Sequence, residues 1–151
     1  VGLDDGTVTG SHGIRVIPDM SVDHVDAGEA AAVVLPGGMP GAAALRDDER
    51  VRGLVRAVHD QGGIAAAICA GPIVLEAAGL LEGRRGTAYP DYTDELSCSV
   101  VDDHAVVVDG RLVTSRGPGT ALAFALCLVG LMAGKAKETE LAEALLVEGA
   151  R

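Results

Sequence analysis

Lysine is almost missing from this chain. Its 12 cations are ten arginines and only Lys135 and Lys137, set against 22 carboxylates. The net charge of −10 and the pI near 4.6 exclude a basic nucleic-acid binder and a polybasic membrane-surface protein. Cysteine is also scarce. Cys69, Cys98 and Cys127 form no C-x-x-C pair and no zinc spacing, and an odd count does not build a disulfide framework. No metal site is expected from them, and a reducing cytoplasm is the expected compartment. Long apolar runs are missing too. The longest charge-free stretch, Gly117 to Gly134, is short for a membrane span and interrupted by glycine. The start shows no basic-then-apolar leader pattern, so no signal peptide is expected. No internal repeat or linker interrupts the sequence.

What is present is enough for a core. The 151 residues are 48% hydrophobic with mean hydropathy +0.31, which suits one globular domain, residues 1–151, rather than a disordered chain. Aspartates (13) outnumber glutamates (9). Dense acid with little lysine keeps a surface hydrated in high salt and repels itself at low salt. A halophilic source is therefore one expectation, and an ordinary acidic bacterial protein is the other.

Along the chain, residues 1–13 read as glycine-rich loop, with a short strand over Ile14 to Ile17 stopped by Pro18. Ala31 to Leu35 is a buried apolar run ended by Pro36-Gly37-Gly38. Asp47 or Asp48 can cap a helix to about Asp60, with Val51, Leu54, Val55 and Val58 as its apolar stripe. Ile64 to Ile68 reads as a second buried strand, followed by a helix through Val74, Leu75, Ala78 and Leu81. A third strand is expected over Gly86 to Tyr89. Ala105–Val108 and Leu112–Ser115 flank Asp109-Gly110, a hairpin signal. A long apolar helix over Thr120 to Ala133 is followed by Gly134 as its stop. A last short helix starts at Thr139, with Leu141, Leu145 and Leu146 inward. Strands alternating with helices imply a parallel sheet covered on both faces, with sites at the carboxyl ends of strands.

Two of those strand ends carry unusual chemistry. Cys69 stands where Ile64–Ile68 turns into a helix. Ala70 and Gly71 are small, as a sharp turn needs, and Pro72 suits a first helical turn. A thiol at a helix N-terminus is positioned for thiolate chemistry, the arrangement of a nucleophile elbow with cysteine as the nucleophile. The alternative is a small core residue. Cys98, in a polar loop, and Cys127, inside the apolar helix, read as bystanders. Pro36-Gly37-Gly38 offers backbone N–H groups to an anion or a developing oxyanion. A base is missing. His12 and His24 read as loop residues, and His59 as the solvent side of a helix. His104 reads as preceding a strand at the end opposite the site. Tyr89 occupies the place after Gly86-Thr87-Ala88 where a partner to Cys69 would stand. A protease triad is poorly supported.

Three motifs occur in order: Val33-Val34-Leu35-Pro36-Gly37-Gly38, Ala66-Ala67-Ile68-Cys69-Ala70-Gly71-Pro72, and Thr114-Ser115-Arg116-Gly117-Pro118-Gly119-Thr120. Together they resemble the ThiJ/PfpI superfamily, most closely its Parkinsonism-associated deglycase branch, from about Gly2 to the C-terminus. The resemblance implies a flavodoxin-like doubly wound α/β fold of the class I glutamine amidotransferase-like kind, usually a homodimer. It implies that Cys69 is the reactive, oxidation-prone cysteine and that Gly38 and Ala70 supply oxyanion N–H groups. Gly37, Gly71 and Tyr89 become pocket residues. The implied chemistry is cofactor-free and acts on α-oxoaldehydes such as methylglyoxal or on early glycation adducts. Redox sensing or chaperoning through an oxidisable Cys69 is the alternative. Peptidase relatives depend on a His directly after the cysteine, where this chain has Ala70. The resemblance also implies a strand–helix–strand unit ahead of Val1, carrying a glutamate that hydrogen-bonds the cysteine. The sequence enters near the end of that unit, so an N-terminally truncated version of the fold is expected, and no residue is assigned to the glutamate. Small aldehydes or glycated molecules are the expected partners, with no nucleic acid and no membrane.

Overall fold

The computed structural model describes residues 1–101 and 103–147. Its centre is a four-stranded sheet of β3 (Ala32–Leu35), β4 (Ile64–Ile68), β7 (Val106–Asp109) and β8 (Leu112–Ser115), in the spatial order β3-β4-β8-β7. Strands β3, β4 and β8 run parallel, and β7 returns antiparallel on the outer side of β8. β4 reads Ile-Ala-Ala-Ala-Ile, and alanine has no strong preference for strands. It is a strand because both its edges are hydrogen-bonded and both its faces are covered. Ala65 and Ala67 face a cluster with Val55, Ile73, Val74 and Leu75. Ile64 and Ala66 face the opposite cluster with Val113, Phe124 and Leu128. That alternation is the period of two expected of a strand buried on both sides.

The first cluster is built by α1 (Gly41–Asp47), α2 (Glu49–Asp60) and α3 (Pro72–Ala77), and the second by α4 (Ala121–Ala133). The fold is thus the flavodoxin-like, doubly wound α/β class expected, with one antiparallel strand. In α2, Val51, Val55 and Val58 are buried as the stripe requires. Asp48 caps it by accepting from the Arg50 N–H at 2.8 Å. The Arg50 guanidinium and these backbone bonds hold the Asp48 carboxyl well below its ordinary value, at about 2.

Several expectations are corrected. The N-terminal stretch forms a small antiparallel hairpin, β1 (Val8–Thr9) with β2 (Arg15–Val16), not a loop and one strand. α1 was not anticipated. The strand expected at Gly86–Tyr89 shrinks to β5 (Arg85–Gly86), which pairs with β6 (Ser99–Val100) outside the main sheet. The hairpin turn is Gly110-Arg111, one residue later than expected, because Asp109 still pairs with Leu112. Helix α5 (Lys135–Ala144) begins directly after Gly134 and leaves Leu145 and Leu146 exposed, not inward. It folds onto α4 and carries ion pairs along its own surface, from Lys135 to Glu138 and from Lys137 to Glu140.

Among the described residues β3 pairs on one side only, and Val34 is half exposed there. Beside that edge lies an apolar groove of about 650 Å³, lined by residues such as Leu3, Val33, Leu45 and Leu54. No described helix is long and apolar enough to cross a membrane.

Candidate active site around Cys69

Cys69 follows the last residue of β4, and its backbone is left-handed, with φ of 63°. That conformation costs a residue with a Cβ about 1–2 kcal/mol. It persists only where the surroundings enforce it, and such outliers mark functional turns. Here hydrogen bonds to neighbouring segments enforce it. The Cys69 N–H donates to Ser115 O at 3.0 Å, and the Tyr89 N–H donates to Cys69 O at 2.9 Å. Gly71 N–H closes the turn onto Ile68 O at 2.9 Å, and Pro72 opens α3.

Two glycines make this packing possible. A methyl group on Gly37 would lie 2.5 Å from Cys69 Cβ, 2.8 Å from Ile68 O and 2.9 Å from Ala70 N. One on Gly71 would lie 2.6 Å from Leu35 O. The loop after β3 and the elbow after β4 are therefore in backbone-to-backbone contact. This follows from the register, which pairs Leu35 with Ala67 and so brings Gly37 level with Cys69. Among the described residues, no protein acceptor takes the N–H of Gly38 or of Ala70. The predicted set Cys69, Gly37, Ala70 and Gly71 comes together at one point. Gly38 follows at φ of 87° and lends its carbonyl to the Ala42 N–H at the start of α1. Tyr89 joins through its main chain, while its ring is exposed and tilted against Tyr92 at 6.4 Å between centroids.

The other cysteines are separated from this chemistry. Cys98 is buried below Gly86, and burial pushes its thiol up. Burial does the same to Cys127 on α4. All three are free thiols. His12 and His24 are exposed, as expected. His59 is not on the solvent side: its side chain is 21% exposed, and its Nδ1 is buried without a hydrogen-bond partner. His104 is corrected as well. β7 runs antiparallel, so its first residue, Val106, pairs with Ser115 and the chain before it lies at the same sheet end as Cys69. His104 is nevertheless exposed and paired with Asp103 at 2.6 Å. Among the described residues, none of the hydrogen bonds made by Cys69 reaches a titratable side chain. No group of three or more His, Cys, Asp or Glu side chains among the described residues could hold a metal ion.

The third motif holds supporting residues that residue-by-residue reading did not single out. Ser115 Oγ donates to Ala105 O at 2.7 Å and lies in hydrogen-bond contact with Thr120 Oγ1 at 2.6 Å. Gly117 N–H donates to Thr120 Oγ1 at 3.1 Å. Thr114 Oγ1 accepts from the Thr87 N–H at 2.9 Å in a fully buried position. These bonds fasten β8 and the loop after it, and through Ser115 O they fasten Cys69. The signal in the sequence was the run of hydroxyl residues bracketing Arg-Gly-Pro-Gly. Gly117 sits against the Tyr89 ring, where a methyl group would be 3.3 Å from Cδ2.

The chain and its fold have relatives among known proteins. The model of the DJ-1/PfpI family matches residues 1–131. Drosophila melanogaster protein dj-1beta is 44% identical over 149 residues, covering 97% of this chain and 80% of that protein. Its crystal structure superposes with a TM-score of 0.89, at 43% identity over 95% of this chain and 78% of that one. The structure of oxidized Toxoplasma gondii DJ-1 gives a TM-score of 0.88, at 35% identity over 96% of this chain and 79% of that one. A deglycase of Pyrococcus abyssi is 40% identical over 121 residues, covering 79% of this chain and 72% of that protein. The chain spans about a third of the longer DJ-1 homologs A and B of Arabidopsis thaliana (36% and 32%).

Proposed function

The chain belongs to the DJ-1/PfpI family, and on that premise we propose that it is a cysteine-dependent, cofactor-free enzyme of the glyoxalase/deglycase type. Its substrates are α-oxoaldehydes or their glycation adducts. The observation that carries this reading is the left-handed Cys69 at the end of β4, clamped by Ser115, Tyr89 and Gly37. The relatives named deglycases support the substrate class.

The Cys69 thiolate adds to the aldehyde carbon, forming a C–S bond while the carbonyl π pair moves to oxygen. The N–H groups of Gly38 and Ala70, without protein acceptors, stabilise that oxygen before water protonates it to a hemithioacetal. Moving the C–H hydrogen of the hemithioacetal to the adjacent carbonyl carbon, while its hydroxyl proton passes to that carbonyl's oxygen, gives a lactoyl thioester on Cys69; water then cleaves the C–S bond, releasing lactate and the free thiol. That transfer needs an acid/base group. Among the described residues, no titratable side chain hydrogen-bonds Cys69. A reducing compartment, the cytoplasm, keeps the thiol available.

The test is consumption of methylglyoxal with lactate as product, in the protein and in Cys69→Ser. Loss of activity in Cys69→Ser is expected, and equal activity in both would overturn the assignment. The half-exposed thiol beside two open N–H groups also favours a second reading, as a redox sensor whose sulfinate oxygens accept those N–H groups. Peroxide followed by mass spectrometry tests it: equal oxidation of Cys69 and Cys98 would remove the case for a tuned thiol.

A further inference from the structure

The register that sets Gly37 beside Cys69 on one side sets Arg116 beside it on the other. β4 and β8 pair Ile68 with Ser115, so the next residues, Cys69 and Arg116, lie level at the strand ends. The Cys69 N–H to Ser115 O bond fixes that placement. Arg116 lines a cavity of about 320 Å³ that it shares with Tyr89, Pro90 and Gly117. Tyr89 is itself bonded to the Cys69 main chain, and Arg116 directly follows Ser115, the residue that accepts the Cys69 N–H.

Arg116 differs from the other cations. In an acidic chain, Arg46, Arg50, Arg52, Arg56, Arg84 and both lysines each meet a carboxylate. Arg116 is the only half-buried cation among the described residues without one. Such a guanidinium has lost part of its hydration without gaining a counter-charge, and its planar donors match a carboxylate.

We propose that Arg116 makes the Cys69 site select carbonyl substrates that carry a carboxylate over their uncharged counterparts. The class comprises oxo acids with an aldehyde, such as glyoxylate, and α-oxoaldehyde adducts of free amino acids. The carboxylate pairs with Arg116 in the cavity, and the carbonyl carbon lies toward Cys69. The thiolate adds to that carbon, the carbonyl electron pair moves to oxygen, and water supplies the proton. This inference rests on Cys69 being the nucleophile, but not on turnover.

The test uses two alkylating probes of similar shape. Iodoacetate carries a carboxylate and iodoacetamide does not; both lose iodide to the thiolate. Rates at Cys69 are read by peptide mass spectrometry in the full chain, in Arg116→Gln, in Arg116→Lys and in Arg111→Gln. Arg111 is exposed at the far end of β8 and controls for the change in net charge. The iodoacetate-to-iodoacetamide ratio is expected to fall roughly fivefold in Arg116→Gln, what about 1 kcal/mol of half-screened attraction gives. It is expected to be partly kept in Arg116→Lys and unchanged in Arg111→Gln. An unchanged ratio in Arg116→Gln overturns the proposal. So does an equal loss with both probes, which would show Arg116 acting on the thiol or the fold. Because no turnover is needed, a failure to convert methylglyoxal leaves this readout intact.

Discussion

Replacing Gly37 with alanine tests whether the elbow is held by close packing of two strand ends. The new methyl group would stand 2.5 Å from Cys69 Cβ, 2.8 Å from Ile68 O and 2.9 Å from Ala70 N. Carbon atoms rest about 3.5–4.0 Å apart, so roughly 1 Å of separation must be created. None of the three atoms belongs to the far end of a flexible side chain. The two backbones are also tied together one turn earlier, where Leu35 pairs with Ala67. The separation must therefore come from the elbow itself. Overpacking of this kind costs about 1–3 kcal/mol. A misplacement of about 1 Å at a nucleophile costs on the order of 100-fold in rate. The assays are urea unfolding and the rate of Cys69 alkylation by iodoacetamide. Gly53 is the control: it lies inside α2, and a methyl group there meets nothing within 4 Å. Gly53→Ala is expected to stabilise by about 0.5–1 kcal/mol and to leave Cys69 unchanged. A Gly37→Ala protein as stable as the parent to about 0.5 kcal/mol, with its alkylation rate within about twofold, would refute the packing argument.

Other outcomes follow from the buried polar groups, the cap and the charge. Among the described residues Thr87 Oγ1 is buried without a partner, so Thr87→Val is expected to be neutral or stabilising, whereas Thr114→Val strands the Thr87 N–H and costs about 1–3 kcal/mol; equal effects in urea unfolding would contradict this. Asp48→Ala is expected to cost about 1 kcal/mol at neutral pH through loss of the α2 cap. The folded carboxyl titrates at about 2, below its unfolded value, so the Asp48 contribution is full above about pH 4 and lost as pH falls toward 2. A cost that persists unchanged at the lowest pH would show that the charge plays no part. Iodoacetamide near neutral pH is expected to reach Cys69 well before Cys98 and Cys127, whose thiols burial pushes up; comparable labelling of all three would count against a selective site. With a net charge of −10, stability is expected to rise between about 0.1 M and multimolar salt, and a flat unfolding curve would remove the halophilic reading.

The parts of this molecule that could be read from its sequence are those whose cause is local. Pro72 at the first turn of α3 and the small residues after Cys69 state the elbow outright. Asp48 and the valine stripe state α2, and apolar runs stopped by Pro36 or by Cys69-Ala70-Gly71 state β3 and β4. Helix α1 has no such statement: Gly-Ala-Ala-Ala-Leu offers no amphipathic contrast, and it is helical because Ala42 is buried in the cluster it shares with α3. α5 misled for a related reason, since leucines near its end suggested an inward face while Lys–Glu pairs and contact with α4 hold the helix. The errors of position are of a different kind. Reading His104 as remote from the site assumed that a residue preceding a strand lies at the far edge of the sheet. The β7–β8 hairpin reverses that strand and returns its start to the level of Ser115. Arg116 was passed over because hydrophobic pattern carries the period of a strand but not its offset against a neighbour. Only the pairing of Ile68 with Ser115, nearly fifty residues apart, puts Arg116 level with Cys69 at the strand ends. The nucleophile is thus written in a few consecutive residues, whereas what the nucleophile can recognise is written in the register between strands.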